Sequence, residues 1–279
     1  MTPEATAPGR TASEHSALPF AVELARAAGK RLLDWFGNTE PQTKADGTTL
    51  TQADTAVDAF ICAEIEANFP GDLIISEELN HSHHKENADV WVIDPLDGST
   101  NFSQGFPLWG VSIALLEYGR PAMAVLYFPV LDILCHACAG AGAFEDGRAI
   151  SARRPAEVAR HSIFTCSAGA EQWYWPRLRA KRRTFGSTIY ELYLVARGQA
   201  LFSIVSEPKL WDLAAAWLLI EAAGGAIDTL DGSAPFPLTG AEDHSRPHFP
   251  LLAAASPELW QRVRESMLPE QGPRCRRGR

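Results

Sequence analysis

Two aspartates three positions apart, Asp94 and Asp97, stand in the run Trp91-Val92-Ile93-Asp94-Pro95-Leu96-Asp97-Gly98-Ser99-Thr100-Asn101-Phe102. The apolar residues Val90 to Ile93 read as a buried strand that carries Asp94 to its end. Pro95 is expected to stop the ladder there, because it has no N–H and a fixed φ. Gly98 lets the backbone come close to whatever the two carboxylates hold. Ser99 and Thr100 add hydroxyls and amide N–H groups where a new element starts, which is a natural place for an anion. Carboxylates beside a nest of small donors suit hard cations gripping a phosphate. The plainer alternative is a strand followed by an ordinary Asp-Gly turn. Acid at both 94 and 97, after a strand too apolar for a sheet edge, favours the chemical reading.

Further stretches bear on the same chemistry. Upstream are Lys44-Ala45-Asp46-Gly47-Thr48, Leu50-Thr51-Gln52-Ala53-Asp54 and Ser76-Glu77-Glu78. Downstream, Leu210-Trp211-Asp212-Leu213-Ala214-Ala215 runs on to Glu221-Ala222-Ala223-Gly224-Gly225. Together with the central segment these resemble the signatures of the inositol monophosphatase family, metal-dependent phosphomonoesterases of the fructose-bisphosphatase-like superfamily. The resemblance covers the chain from about Phe20 to about Trp260, in the family's order. It implies an α/β (α+β) fold, a layered αβαβα sandwich with the site between its halves. The expected division is a disordered N-terminal segment 1–16, an N-terminal α+β half 17–150 with the metal-site motifs, a C-terminal α/β half 151–267 and a basic tail 268–279.

The same resemblance supplies a site. Glu77, Asp94 and the Leu96 carbonyl would hold one ion, and Asp94, Asp97 and Asp212 a second, with Asp94 bridging. Oxygen-only ligation selects hard cations, and Mg²⁺ fits because it keeps waters and takes few carboxylates beside a substrate phosphate. Two such ions, or three, are expected; a pair about 3.5–4 Å apart clamps the attacking and leaving oxygens of an in-line displacement. The nucleophile is then water, oriented and deprotonated through Ser99 and Asp54. Ser99 stands where the family has Thr, and the hydroxyl survives the exchange. Phosphate oxygens would be received beside Asp97 by the amides of Gly98 and Ser99 and by the Thr100 hydroxyl, with Lys44 either adding charge from its loop or lying solvated. Each acid also has a plain alternative: surface charge for Glu77 and a helix N-terminal residue for Asp212. Both follow or precede strongly apolar runs, where an unpaired carboxylate is costly.

The implied activity is Mg²⁺-dependent hydrolysis of a small polyol or sugar phosphate. Asn101 favours the inositol-phosphatase subgroup over relatives acting on nucleotide bisphosphates. A histidinol-phosphate phosphatase or a fructose-1,6-bisphosphatase on this scaffold is an alternative, as is a protein that keeps the fold only to bind a phosphorylated ligand or a protein. Inositol-phosphate enzymes often place a Glu some seven residues before the second-motif Asp; that position here is Val205, with Glu207 two residues nearer Asp212.

The elements that must position these groups are legible in outline. Apolar residues at helical spacing between Pro19 and Phe36 predict a helix stopped by Gly37. A second helix is predicted from Thr51 or Gln52 to Phe69, with Ala56, Phe60, Ile61 and Ile65 inward. Leu73 to Ile75 forms a short strand leading to Glu77. Val111 to Leu116, Met123 to Phe128 and Ile133 to Ala137 read as an antiparallel meander. Strand Ser162 to Cys166, a helix near Ser187 to Arg197, strand Ala200 to Val205 and a helix from Asp212 follow.

Composition narrows the partners. The 279 residues carry a formal charge of −9, with 46% hydrophobic and 21% charged residues. No basic surplus exists for nucleic acid, and no stretch is apolar enough to cross a bilayer. No secretory leader is read at the N-terminus. Five scattered cysteines suit reduced thiols in a cytoplasmic protein. Cys135-His136-Ala137-Cys138 has C-x-x-C spacing but reads as a strand rather than zinc ligation. His81, His83 and His84 read as an exposed loop. A homodimer is implied by the resemblance alone.

Overall fold

The structure is a computed structural model that describes residues 15–44, 49–79, 89–152, 158–172, 174–238, 243–244 and 247–267. The segment 1–14, residues 45–48, residues 80–88 with His81, His83 and His84, where a loop is expected, and residues 268–279 with Cys275 lie outside the described residues.

The elements run α1 (Leu18–Leu33), β1 (Gln42–Thr43), β2 (Thr49–Leu50), α2 (Gln52–Asn68), β3 (Leu73–Ser76), β4 (Val90–Asp97), α3 (Ser99–Ser103), β5 (Gly110–Glu117), β6 (Arg120–Phe128), β7 (Ile133–Cys138), β8 (Gly142–Glu145) and β9 (Arg148–Ile150). Then come β10 (Ile163–Cys166), β11 (Lys181–Arg183), α4 (Thr188–Ala196), β12 (Phe202–Val205), α5 (Leu210–Ala222), β13 (Ala226–Thr229), β14 (Leu251–Ala254) and α6 (Pro257–Ser266). Strands β3 to β9 form one sheet in sequence order, parallel between β3 and β4 and antiparallel beyond. The second sheet has the order β11-β10-β12-β14-β13.

Period-two burial explains the layering. On β4, Trp91 and Ile93 pack with α1 and α2, while Val90 and Val92 pack with α4 and α5 on the opposite face. Helices α4 and α5 are apolar nearly all round because they also cover Val205, Ile227, Leu251 and Ala253 of the second sheet. Beyond that sheet, Leu259 and Val263 of α6 meet Phe164, Phe202 and Leu252. The layers are therefore αβαβα, as expected. Strand β9 ends at Ile150 and β10 begins at Ile163.

Several local expectations change. Helix α1 ends at Leu33, and a turn through Gly37 (φ +71°) follows. On α2 the inward residues are Ala53, Asp54, Val57, Asp58, Ile61, Cys62 and Ile65; Ala56 is exposed and Phe60 half-buried. Two carboxylates thus occupy helix positions that an apolar count passes over. Cys135 and Cys138 lie on opposite faces of β7, in different core clusters. An i, i+3 pair on a strand cannot converge on one ion.

Candidate active site

The site begins at the paired ends of two parallel strands. Ser76 is opposite Ile93, and the Glu77 N–H donates to the Ile93 carbonyl at 3.2 Å. Glu77 and Asp94 therefore stand side by side where the pairing of β3 with β4 ends. Pro95 does not end β4 as its chemistry suggested. Asp94 pairs with Ser112 and Asp97 with Gly110, so three steps on β4 match two on β5. This bulge accommodates the missing N–H and lets the strand run on to Asp97. Gly98 then turns the chain at φ +87°. A Cβ there would come within 3.1 Å of the Leu108 carbonyl and 3.2 Å of Ser187 Cβ, so glycine is needed for space as well as conformation.

Asp212 comes from the other half of the molecule. Helix α5 starts at Leu210, two residues earlier than expected, which makes Asp212 its third residue. The Lys209 N–H donates to Asp212 Oδ2 at 2.8 Å, a backbone bond that fixes the carboxylate at the helix start. Asp97 is held by a second helix start: the N–H groups of Thr188 and Ile189 donate to it at 3.1 and 3.2 Å, and the Ser187 hydroxyl donates to its Oδ2.

Asp94, Asp97 and Asp212 each offer an oxygen within 4.8 Å of the others. With Glu77, Leu96, Gly98, Ser99 and Thr100 they line one cavity of about 240 Å³, completed by Thr49 and Gly186. Asp54 stands behind Ser99, 1% exposed. Ser99 Oγ–H lies 2.8 Å from Asp54 Oδ1 and 3.0 Å from the Leu96 carbonyl oxygen. The other Asp54 oxygen accepts from the Thr51 N–H at 2.8 Å and the Thr51 hydroxyl at 2.5 Å.

Charge in this cavity is heavily one-sided. Burial, followed by the neighbouring Glu77, Asp97 and Asp212, pushes the Asp94 carboxyl well above its usual range. Asp212 rises likewise through burial and then Glu77 and Asp97. Burial lifts Asp97 to about 6, although its bonds to Ser187, Thr188 and Ile189 pull the other way. Asp54 is raised chiefly by burial. Lys44 answers part of this charge: its Nζ donates to Glu77 Oε1 at 2.7 Å and to Glu78 Oε1 at 2.6 Å.

A hard cation fits these residues. Asp94 Oδ1 accepts the Leu96 N–H at 2.9 Å, while Asp94 Oδ2 is buried with no hydrogen-bond partner among the described residues. Such an orphan oxygen, on a residue clustered with two other carboxylates, would be satisfied by a cation. The donor set is all oxygen.

Glu207 is not brought in. It is exposed, lies outside the cavity wall, and its backbone carbonyl is 3.0 Å from His248 Nδ1. Asn101 instead braces the site's rear, donating to the Leu108 and Phe185 carbonyls at 2.7 Å each. The sequence reading missed Gly186, Ser187 and Asp58. Gly186-Ser187 ahead of an apolar run carries the N-cap signal that would have marked the first two.

The family model described as "Inositol monophosphatase family" matches residues 13–262. A histidinol-phosphatase of Chlorobaculum parvum is 34% identical over 75% of this chain and 83% of its own length. An inositol-1-monophosphatase of Mesorhizobium japonicum is 32% identical over 76% and 84%. Among solved structures, an inositol monophosphatase from Anabaena (Nostoc) sp. superposes with a TM-score of 0.71 at 27% identity, covering 89% of this chain and 94% of the other. Motif order, layered fold, convergent carboxylates and these matches agree: the chain belongs to the inositol monophosphatase family.

Proposed function

We propose that this chain is a Mg²⁺-dependent phosphomonoesterase acting on a small phosphorylated substrate. The observation that carries the reading is the convergence of Glu77, Asp94, Asp97 and Asp212 on one cavity that Ser99 and Thr100 also line. Two Mg²⁺ ions held by these carboxylates and the Leu96 carbonyl would neutralise phosphate charge and acidify water. The chain's own groups do the rest. The N–H groups of Gly98 and Ser99 and the Thr100 hydroxyl are the donors available to phosphate oxygens. Ser99 Oγ can accept a hydrogen bond from the attacking water while donating to Asp54. Asp54, with its carboxyl raised by burial, is the proton acceptor behind it. Asp97, gripped by the start of α4, keeps its place as charge changes beside it.

The substrate reading turns on Glu207. With that carboxylate outside the cavity wall, no acid among the described residues beyond the four proposed ligands lines it to accept polyol hydroxyls. Relatives named histidinol-phosphatase, at 34% and 32% identity, support histidinol phosphate as a second reading beside inositol or sugar phosphates. Rates on inositol 1-phosphate, histidinol phosphate and fructose 1,6-bisphosphate, each with Mg²⁺, separate these. A preference for histidinol phosphate of about a hundredfold in kcat/KM selects the second reading; no release from any of the three contradicts the proposal.

No helix among the described residues is long and apolar enough to cross a membrane. A cytoplasmic setting is supported by the buried, reduced thiols of Cys62, Cys135, Cys138 and Cys166. The homodimer is proposed on the family resemblance.

A further inference from the structure

Helix α2 presents a second buried carboxylate to the site's supporting frame. Asp58 lies one turn beyond Asp54, on the same helix face, and is 0% exposed. Among the described residues no cationic side chain pairs with it. Its Oδ1 accepts the Cys62 thiol at 3.1 Å, and its Oδ2 accepts the Glu78 N–H at 2.8 Å. A carboxylate buried without a counter-charge is costly. An apolar side chain of similar size would fill the same space on α2 but would accept neither donor.

The groups around Asp58 indicate what it holds. The last rung joining β3 to β4 is the Glu77 N–H on the Ile93 carbonyl. Immediately beyond it the backbone leaves the sheet. The next N–H, from Glu78, turns inward to Asp58, and the Leu79 N–H donates to Ser76 Oγ at 3.4 Å. Glu77 is thus pinned on both sides, by the sheet before it and by Asp58 after it. Its side chain is left directed to the cavity and to Lys44.

We propose that Asp58 is a positioning residue: it fixes the turn that aims Glu77, and with it the cation-binding geometry on the Glu77 side of the cavity. The inference rests on reading Glu77 as a ligand. One helix would then govern both ends of the site, through Asp54 to Ser99 and through Asp58 to Glu77.

The test is calorimetric titration of the full chain with Mg²⁺ alone, comparing wild type with Asp58→Leu, Asp58→Ala, Asp58→Asn and Cys62→Ala, with melting temperature recorded for each. Supporting partners of metal ligands are worth about 10- to 100-fold in affinity, so Asp58→Leu should weaken Mg²⁺ binding at least about tenfold. Its melting temperature should change little, because losing the buried charge offsets leaving the Glu78 N–H without its acceptor. Asp58→Asn retains an oxygen acceptor for the Glu78 N–H and should bind within about threefold of wild type. Cys62→Ala should bind as wild type does. Asp58→Ala should repeat the loss if the leucine does not fold. Unchanged affinity in a folded Asp58→Leu or Asp58→Ala protein overturns the inference alone, as does an equal loss in Cys62→Ala. Wild type that binds no Mg²⁺ overturns the ligand reading with it.

Discussion

The Ser99 hydroxyl stands 2.8 Å from Asp54 Oδ1, and both groups are set by neighbours that leave little freedom. Gly98 and the β4 bulge fix Ser99, while the capping box at Thr51 fixes Asp54. A carboxylate that caps a helix thereby also serves a cavity hydroxyl. Removing that hydroxyl should act on turnover with little effect on folding. Ser99→Ala is expected to lower kcat about a hundredfold or more, and Ser99→Thr to retain most of it. Asp54→Ala should lose activity and, with the cap, about 1 kcal/mol of stability. Steady-state kinetics beside thermal melts separate the two effects.

The grip of α4 on Asp97 has a separate consequence. Ser187 donates to Asp97 and also accepts the Tyr190 N–H at 3.3 Å, so it caps α4 while holding the carboxylate. Ser187→Ala should cost about 1 kcal/mol as a lost cap, lowering the melting temperature by about 2–4 °C. It should also raise the Mg²⁺ concentration needed for half-maximal activity. A melting shift with no change in Mg²⁺ requirement would show that the serine is only a cap.

Lys44 bridges Glu77 and Glu78 where positive charge is scarce. Burial alone would lower its pKa, yet Glu77 and Glu78 outweigh that effect and hold it raised. Glu78 itself is lifted to about 7, first by burial and then by Glu77. An ammonium on Glu77 competes with a cation for the same oxygen. Lys44→Met should therefore tighten Mg²⁺ binding several-fold while lowering the metal-free melting temperature. Weaker Mg²⁺ binding in this variant would mean that Lys44 helps to build the site.

The raised carboxyls also fix a pH dependence. Asp97 moves from 3.8 in the unfolded chain to about 6 in the folded one, and Asp94 and Asp212 shift in the same direction. The folded state binds protons more tightly, so this stabilisation is complete below about pH 3.8 and is lost as pH rises through about 6. Metal-free protein should lose stability across that window through these groups. Mg²⁺ should raise the melting temperature more at pH 7.5 than at pH 5. A stabilisation by Mg²⁺ that is independent of pH would place the ion elsewhere.

Much of this was legible in the chain, for reasons that differ by element. The carboxylates of β3, β4 and α5 stand at the ends of apolar runs, and a run that ends in acid is visible without coordinates. The bulge at Pro95 was not, because it depends on Gly110 and Ser112 of the partner strand. Asp58 was hidden because apolar periodicity favoured Ala56 and Phe60, whereas the helix turns two acids inward. Strands β11, β13 and β14 are only three or four residues long, too short for alternation to register. Helix α6, although capped by Ser256 with Pro257 following, is polar overall and went unread. Glu207 illustrates the reverse case: spacing brought it near the motif, and the backbone left it exposed.

The most direct measurement is phosphate release by wild type and Asp94→Asn, each with Mg²⁺ and with a chelator, on whichever substrate is turned over fastest. Asp94 carries an orphan oxygen and clusters with Asp97 and Asp212. Turnover in wild type with Mg²⁺, and its loss both on chelation and in a folded Asp94→Asn protein, is the predicted result. Turnover that survives the chelator, or that Asp94→Asn retains in full, would contradict the account.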